Sequence, residues 1–148
     1  MMGNTKKIQE MLMNSIFEVF EKMFFVFLEP FDDEIQYDLM TSIQFTGSVK
    51  GEIQAYLSRG IANVMVENML GLETKDVTDK NREDCAKEAL NMIAGSFVHK
   101  LDGANVFDLS IPACEKKSGK FNKESKGTLN LLFDSDDQYM GITMNLDG

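Results

Sequence analysis

The sequence has few of the side chains that usually carry catalysis or hold metal ions. It contains one histidine, two cysteines and no tryptophan. No Ser/His/Asp or Cys/His catalytic set can be assembled around His99 alone. No cluster of histidine and cysteine offers a metal site, and no glycine-rich loop has phosphate-binding spacing. If the protein is an enzyme, its substrate must therefore supply most of the reactive machinery.

The sequence also lacks the features of nucleic-acid-binding and membrane proteins. Its net charge of −9 would repel the phosphate backbone of a nucleic acid. It has no run of about 18 apolar residues, so no segment is expected to span a membrane. The apolar stretch after Lys6 and Lys7 is broken by charged residues, which indicates an amphipathic helix and not a signal peptide. Cys85 and Cys114 lack metal or redox spacing and fit a reduced, cytoplasmic protein.

Hydrophobic periodicity predicts an α+β fold. The length of 148 residues suits a single domain. Apolar residues at helical spacing predict long helices over 8–28 and 79–102. Ser58 and Gly71 are expected to cap a shorter helix over 59–70. Alternation of apolar and polar residues predicts about six antiparallel strands, covered on one face, over 35–39, 43–46, 52–57, 107–111, 129–133 and 140–146.

The remaining segments are interpreted as connections. Residues 1–7 are expected to be a loose end, and Gly47 and Gly51 to bracket a hairpin turn. Residues 115–126 hold five lysines and two glutamates, which favours a solvated loop over a basic surface that attracts an acidic partner. Residues 134–137 lack the spacing of a calcium loop, and a turn is the better interpretation.

The helix predicted over 79–102 has two different faces. Its core face gathers Ala86, Leu90, Ile93, Ala94, Phe97 and Leu101. Within about 60° on another side lie Asp84, Glu88, Asn91 and Gly95. Asparagine is a poor helix former, and glycine inside a helix costs about 1 kcal/mol relative to alanine. This polar stripe is interpreted as a face chosen for something other than helix stability; a solvated helix face is the alternative.

The order of the predicted elements indicates a degenerate internal duplication. A long helix followed by three strands occurs twice, with the shorter helix between the two copies. In the first helix, Glu18-xx-Glu21 aligns with Glu88-xx-Asn91 of the second. Unlike the asparagine of the second copy, an ionised Glu21 carries a negative charge and has no donor with which to hold a water. Glu18 and Glu21 are therefore predicted not to be catalytic.

The polar stripe and a downstream proline together form a motif. Asp84-xxx-Glu88-xx-Asn91, followed after twenty residues by Pro112, resembles the (Asp/Ser)-xxx-Glu-xx-Asn…Pro motif of the CheC/CheX/FliY family. These proteins are phosphatases of the chemotaxis response regulator CheY. The likeness to CheX runs from about residue 8 to residue 146. Its flanking segments are 14–18, 46–53 and 67–71.

The resemblance implies a CheX-like fold over the whole chain, 1–148. That fold is an antiparallel sheet of about six strands with two long pseudo-symmetric helices and a third, shorter helix. The expected divisions are a degenerate first half over about 8–57, a connecting helix over about 58–71 and an active second half over about 79–146. The resemblance also implies a homodimer.

The function that the resemblance implies is hydrolysis of the aspartyl phosphate of a CheY-type receiver domain. Asn91 would orient the attacking water, and Glu88 would pair with the active-site lysine of the receiver. Mg²⁺ is expected on the phosphorylated receiver, and no cofactor on this chain. From their place on the stripe, Asp84 and Gly95 are expected to be peripheral partner contacts. Two alternatives stay open: a non-catalytic receiver-docking or assembly module, and a dimeric sheet domain without a receiver partner.

Overall fold

Three α-helices lie against one antiparallel sheet in the computed structural model, which describes residues 2–125 and 127–147. A short 3-10 turn over Thr74–Asp76 precedes the third helix. The helices are α1 (Met2–Phe24), α2 (Arg59–Leu70) and α3 (Asp79–Leu101). The strands are β1 (Glu29–Pro30), β2 (Ile35–Thr46), β3 (Lys50–Leu57), β4 (Asp108–Leu109), β5 (Ala113–Phe121), β6 (Leu129–Ser135) and β7 (Gln138–Asp147). The predicted α+β fold is confirmed.

The strand order is symmetric about the middle of the sheet. It runs β1-β6-β7-β3-β2-β4, and β5 also pairs with β2. The two central strands, β3 and β7, pair from Lys50 opposite Asp147 to Leu57 opposite Met140. Exchanging β1 with β4/β5, β2 with β6 and β3 with β7 gives the same strand order, read from the opposite edge of the sheet. An internal duplication predicts this symmetry, because each half then contributes equivalent strands to one sheet.

Local sequence signals explain where α2 and α3 begin and where α2 ends. The Ser58 side chain accepts a hydrogen bond from the Ile61 amide, and Gly71 ends α2 with a φ of 67°. Thr78 begins α3 with a capping box, in which its hydroxyl and the Asn81 side chain each bond the other's backbone amide. Such caps satisfy amides that have no partner within the helix. The predicted caps of α2 are confirmed.

Aromatic packing fixes α1 and α3 on one face of the sheet. Phe97 of α3 packs edge-on against Phe45 of β2, with ring centroids 5.9 Å apart. Phe17 of α1 meets Phe133 of β6 in the same way at 5.6 Å. Full burial of a phenylalanine side chain contributes about 1.5–3 kcal/mol to folding. Because α3 is held by its buried face, its polar stripe is directed away from the sheet.

The first helix ends earlier than the predicted span of 8–28. Phe25 takes a left-handed conformation with a φ of 53°, and α1 ends before it. The Asn68 side chain of α2 donates a hydrogen bond of 2.8 Å to the Phe24 carbonyl at this helix end. Phe27, predicted on the buried helix face, is therefore beyond the helix and 65% exposed. The start is also different: residues 2–7 are helical, and residue 1 lies outside the described part of the chain.

The segments predicted over 35–39 and 43–46 form one continuous strand, β2. Between them, Thr41 points inward and is buried. Its hydroxyl donates a hydrogen bond of 2.7 Å to the Ala113 carbonyl of β5. A polar residue at an inward position interrupts the apolar alternation, so the pattern indicated two strands where the backbone forms one.

The predicted lysine-rich loop over 115–126 is wrong for most of its length. Residues up to Phe121 belong to β5, which pairs with β2. Lys116 of β5 forms an ion pair with Asp79 at the start of α3, with the nitrogen and oxygen 2.8 Å apart. Most side chains of β5 are exposed, so the strand carries little apolar alternation. Lys126 lies outside the described residues. No helix in the described ranges is long and apolar enough to cross a membrane.

Candidate active site

The structure places the four stripe residues on the outer side of α3. Asp84 and Glu88 are exposed, and Asn91 and Gly95 are half-buried. The residues that hold this helix against the rest of the protein are fully buried: Ala86, Leu90, Ile93, Ala94 and Phe97. Predicted Leu101 is only half-buried at the helix end. The two faces predicted for this helix are thus distinct in the structure.

Three stripe residues form one wall of a cleft beside the segment that joins β4 to β5. This motif cleft has a volume of about 480 Å³. The structure thus brings Pro112 to the same cleft as Asn91, although the two are far apart in sequence. The lining residues are Asp84, Lys87, Glu88, Asn91, Ser110, Ile111 and Pro112.

Hydrogen bonds to the sheet hold the second wall of the motif cleft in place. The Ser110 amide donates to the Gln44 carbonyl of β2 at 2.8 Å. The Ser110 hydroxyl accepts from the Gln44 amide at 2.9 Å. The predicted strand over 107–111 is too long at both ends, because β4 covers Asp108–Leu109 and Ser110 bonds Gln44 without continuing the strand. Ile111, predicted as an inward strand residue, is instead 92% exposed at the cleft.

Not all charges in the motif cleft are neutralised by the residues that the structure describes. Asp84 is held by Lys80 at 3.3 Å and Lys87 at 4.0 Å. Within residues 2–125 and 127–147, the side chains of Glu88 and Asn91 have no hydrogen-bond or ion-pair partner. An exposed carboxylate and an amide one turn apart on a helix can both reach the same partner. Glu88 offers only acceptors, whereas Asn91 offers a donor and an acceptor.

The two cysteines near α3 are not activated nucleophiles. Burial raises the pKa of the Cys114 thiol to about 11, with a smaller contribution from Glu83. Burial also raises the pKa of the Cys85 thiol, and the carboxylates of Asp84 and Glu88 add to the effect. Both thiols are therefore protonated at neutral pH, and the thiolate is the reactive form. The polar side chains that line the motif cleft are those of Asp84, Lys87, Glu88, Asn91 and Ser110.

A second cavity lies between α1 and α3 and shares Asn91 with the motif cleft. This α1/α3 groove has a volume of about 440 Å³. The two helices are joined beside it by a hydrogen bond of 3.1 Å between the hydroxyls of Ser96 and Ser15. Its lining residues are Glu18, Val19, Lys22, Met23, Asn91, Met92, Gly95, Ser96 and Leu109. Gly95 therefore belongs to the groove and not to the motif cleft.

Sequence reasoning missed the apolar members of these two cavities. Ile111 was assigned to a strand because it continues the alternation of Phe107 and Leu109. Met23 of α1 fits the apolar spacing of a buried helix face, and nothing in the sequence distinguishes Val19 from a core residue. One signal for Ile111 was available: proline follows it directly and cannot donate a ladder hydrogen bond, which demotes the end of a strand pattern.

A comparison with models of known protein families assigns the chain to a family. A model described as chemotaxis phosphatase CheX matches residues 39–133, which is more than half of the chain. The chain belongs to the CheX family. The matched span contains the whole polar stripe of α3 and Pro112. The family resemblance that the motif indicates is thus confirmed.

Solved CheX structures have the same fold as this CheX-family chain. CheX from Vibrio vulnificus is 21% identical with a TM-score of 0.78, over 95% of this chain and 96% of that one. CheX from Desulfovibrio desulfuricans is 18% identical with a TM-score of 0.74, over 95% and 99%. A chain of the CheX–CheY–BeF3–Mg²⁺ complex from Borrelia burgdorferi is 21% identical with a TM-score of 0.70, over 94% and 97%.

These structures confirm the predicted CheX-like fold, with its three helices and open antiparallel sheet. No curated protein sequence matches the chain. A shared fold does not assign roles to individual side chains, because function resides in the site that the fold carries. The roles of Glu88 and Asn91 therefore stay predictions.

Proposed function

We propose that this chain is a phosphatase that removes the phosphoryl group from the aspartate of a CheY-type receiver domain. The observation that carries the proposal is a pair of side chains, Glu88 and Asn91, that have no partner among the described residues and lie beside Pro112 in one cleft. Two findings support it. The matching family is described as chemotaxis phosphatases, and a relative with this fold forms a complex with CheY, BeF3 and Mg²⁺.

Hydrolysis of this substrate requires few reactive groups from the phosphatase itself. The phosphoryl group of a receiver is attached to a carboxylate as an acyl phosphate, so it is already activated. Hydrolysis then depends mainly on placing a water in line with the phosphorus and on stabilising charge on the phosphoryl oxygens. Mg²⁺ bound by the receiver supplies part of that stabilisation. A cleft without histidine, metal cluster or activated cysteine is sufficient for the remaining task.

Asn91 takes the central role in this proposal. Its amide can accept a hydrogen bond from the water and donate one to it or to the phosphoryl group, so it can fix the direction of attack. As a neutral group it brings no negative charge towards the phosphoryl oxygens. Its half-buried position and the packing of α3 on the sheet restrict where the amide can point. Such positioning is a recognised source of rate enhancement.

Glu88 has a different role, as the anchor for the receiver. Its exposed carboxylate has no cation of its own among the described residues, so it is available to the active-site lysine of the receiver. Asp84 already has Lys80 and Lys87 as partners, which makes it a weaker attractant. We assign Asp84 and Gly95 to peripheral contacts with the receiver, on either side of the two central residues.

The wider context follows from the family resemblance. We propose a homodimer that acts in the cytoplasm, where response regulators are phosphorylated. Within each chain, the second half over about 79–146 carries the site, and the first half over about 8–57 is its non-catalytic counterpart. Light scattering tests the dimer separately: a monomeric protein that still dephosphorylates the receiver would contradict the dimer and leave the phosphatase unaffected.

The deciding experiment is incubation of the protein with candidate receivers carrying radiolabelled phosphate on aspartate. We expect loss of label to accelerate with at least one receiver and to depend on phosphatase concentration. A stable complex with a phosphorylated receiver but no faster loss of label would contradict catalysis and favour the docking module. The absence of a complex with any phosphorylated receiver would favour a dimeric sheet domain without this partner.

A further inference from the structure

The packing of the protein does not explain why residue 95 is glycine. A Cβ atom built on Gly95 would have only one neighbour within 4 Å, the Cδ1 atom of Leu109 at 4.0 Å. The contrast with other glycines is clear: a Cβ on Gly141 would lie 2.4 Å from the Phe121 ring. Gly95 also has no positive φ that would exclude other residues. A glycine inside a helix is destabilising relative to alanine, so another requirement must account for the glycine at this position.

Gly95 lies in the α1/α3 groove, whose walls are mainly apolar. Val19 and Met23 of α1 supply the apolar surface on one side, next to Glu18 and Lys22. Met92 and Leu109 supply it on the other side, next to Ser96. The volume of about 440 Å³ is within the range of roughly 300–1,000 Å³ that is usual for ligand pockets. Met92 is 43% exposed at the groove. Methionine side chains adapt their shape readily, which suits a surface that receives another side chain.

The position of Asn91 connects the groove to the site. Asn91 lines both the motif cleft and the α1/α3 groove. If its amide reaches a phosphoryl group on a receiver, the receiver surface around that group must also cover the adjoining mouth of the groove. The occupant that this geometry selects is therefore part of the receiver, and its apolar character follows from the walls.

We propose that the α1/α3 groove receives an apolar side chain from the receiver, next to the phosphorylated aspartate, and that Gly95 keeps the groove open for it. This inference rests on the proposed phosphatase function and adds the chemistry of its docking. It also gives α1 a part in recognition. Although α1 lacks the asparagine, Val19 and Met23 supply one wall of the groove.

The test is to fill the groove and measure receiver binding without hydrolysis. The variant is Gly95→Leu, and the probe is a receiver carrying beryllofluoride and Mg²⁺, titrated by calorimetry. We expect the Kd to rise at least tenfold and kcat/KM for the phosphorylated receiver to fall in parallel, mainly through KM. Gly95→Ala adds one methyl group in open space and should show a smaller loss of affinity with a higher Tm.

Two further variants keep the test decisive. If Gly95→Leu does not fold, Met92→Glu places a charge in the groove at a partly exposed position, and the same rise in Kd is expected. Lys75→Leu is the matched control, because it adds the same apolar side chain at a site 77% exposed on the 3-10 turn. Lys75→Leu should bind the receiver like the parent protein.

The outcomes separate this inference from the proposed function. If the parent protein neither binds nor dephosphorylates any receiver, the proposed function fails. If the parent does both and Gly95→Leu binds within twofold of it, the groove does not receive the receiver and the inference is overturned. If Gly95→Leu binds the receiver normally but changes the oligomeric state, a second copy of the chain occupies the groove, which also overturns the inference.

Discussion

The two long helices have the same spacing of polar residues but present them differently. Glu18 in α1 is held by Lys100 of α3, with the carboxylate oxygen 3.2 Å from the ammonium nitrogen. Glu88, at the equivalent position of α3, has no such partner within the described residues. The two helices therefore share the spacing of their polar residues but differ in whether the carboxylate has a partner in the protein. The carboxylate of α1 serves helix packing, whereas the carboxylate of α3 is free to act on another molecule.

The helices differ again four residues beyond the Glu21 and Asn91 positions. In α1 that position is Phe25, which ends the helix with a positive φ and is 66% exposed. In α3 it is Gly95, and the helix continues to Leu101. The first helix therefore ends at a bulky ring, while the second presents an open groove beside its asparagine.

The largest effect is expected for Asn91→Ala. If Asn91 positions the attacking water, dephosphorylation should slow by roughly a hundredfold or more, which corresponds to about 3 kcal/mol. Stability should stay the same or rise by a few tenths of a kcal/mol, because alanine is the better helix former. The measurements are thermal unfolding and loss of labelled phosphate from the receiver. A variant that unfolds like the parent and dephosphorylates at the parent rate would remove the catalytic role.

A smaller effect is expected for Glu88→Ala, and it should fall on binding as well as turnover. Loss of one partner of an interfacial ion pair should raise the Kd for the beryllofluoride-bound receiver by about tenfold or more. Glu21→Ala is the matched control, since it also removes one carboxylate from an exposed position on a long helix. The control should leave both the Kd and the turnover unchanged. Equal losses in the two variants would mean that general charge, and not a specific anchor, attracts the receiver.

The sequence predicted the parts of the molecule in which local chemistry and burial agree. The α3 helix and its polar stripe were predicted because the apolar face of the helix is wide and continuous, and in the structure the Thr78 capping box forms at the predicted start. The closing hairpin was predicted for a similar reason: Asp136 and Asp137 take positive φ values in a tight turn between two apolar strands. Asp and Asn tolerate this conformation better than most residues.

The sequence failed where tertiary contacts override local pattern. At the end of α1, the Phe24 carbonyl is bonded by Asn68 of another helix, a contact that local sequence does not reveal. The strand β5 is mostly exposed, so its lysines gave a loop-like signal although β2 provides its hydrogen bonds. The α1/α3 groove could not be predicted either, because its walls come from three elements that are far apart in sequence, α1, α3 and β4. Individual side chains of the site were predictable; their shared cavities were not.

A several-fold effect is expected for Ile111→Ser, which tests the second wall of the motif cleft. Ile111 is 92% exposed, so its removal should not change the Tm. If it contacts the receiver, the loss of buried apolar area should cost about 1 kcal/mol, or roughly a fivefold rise in Kd. Val106→Ser is the control, because Val106 is 87% exposed and does not line the cleft. A similar rise in Kd for both variants would instead show the loss of a nonspecific apolar attraction.

The smallest effect is expected when the motif is restored in the wrong helix. Glu21→Asn recreates Glu-xx-Asn in α1, and we combine it with Asn91→Ala so that any new activity is visible. No recovery is expected, because Glu18 is engaged by Lys100, and the Ser110–Pro112 wall lies beside α3. Glu21→Asn alone should lower stability by a few tenths of a kcal/mol through helix propensity. The measurement is kcat/KM of the double variant against Asn91→Ala. A recovery of tenfold or more would show that spacing alone creates a site, and the distinction drawn between the two helices would be wrong.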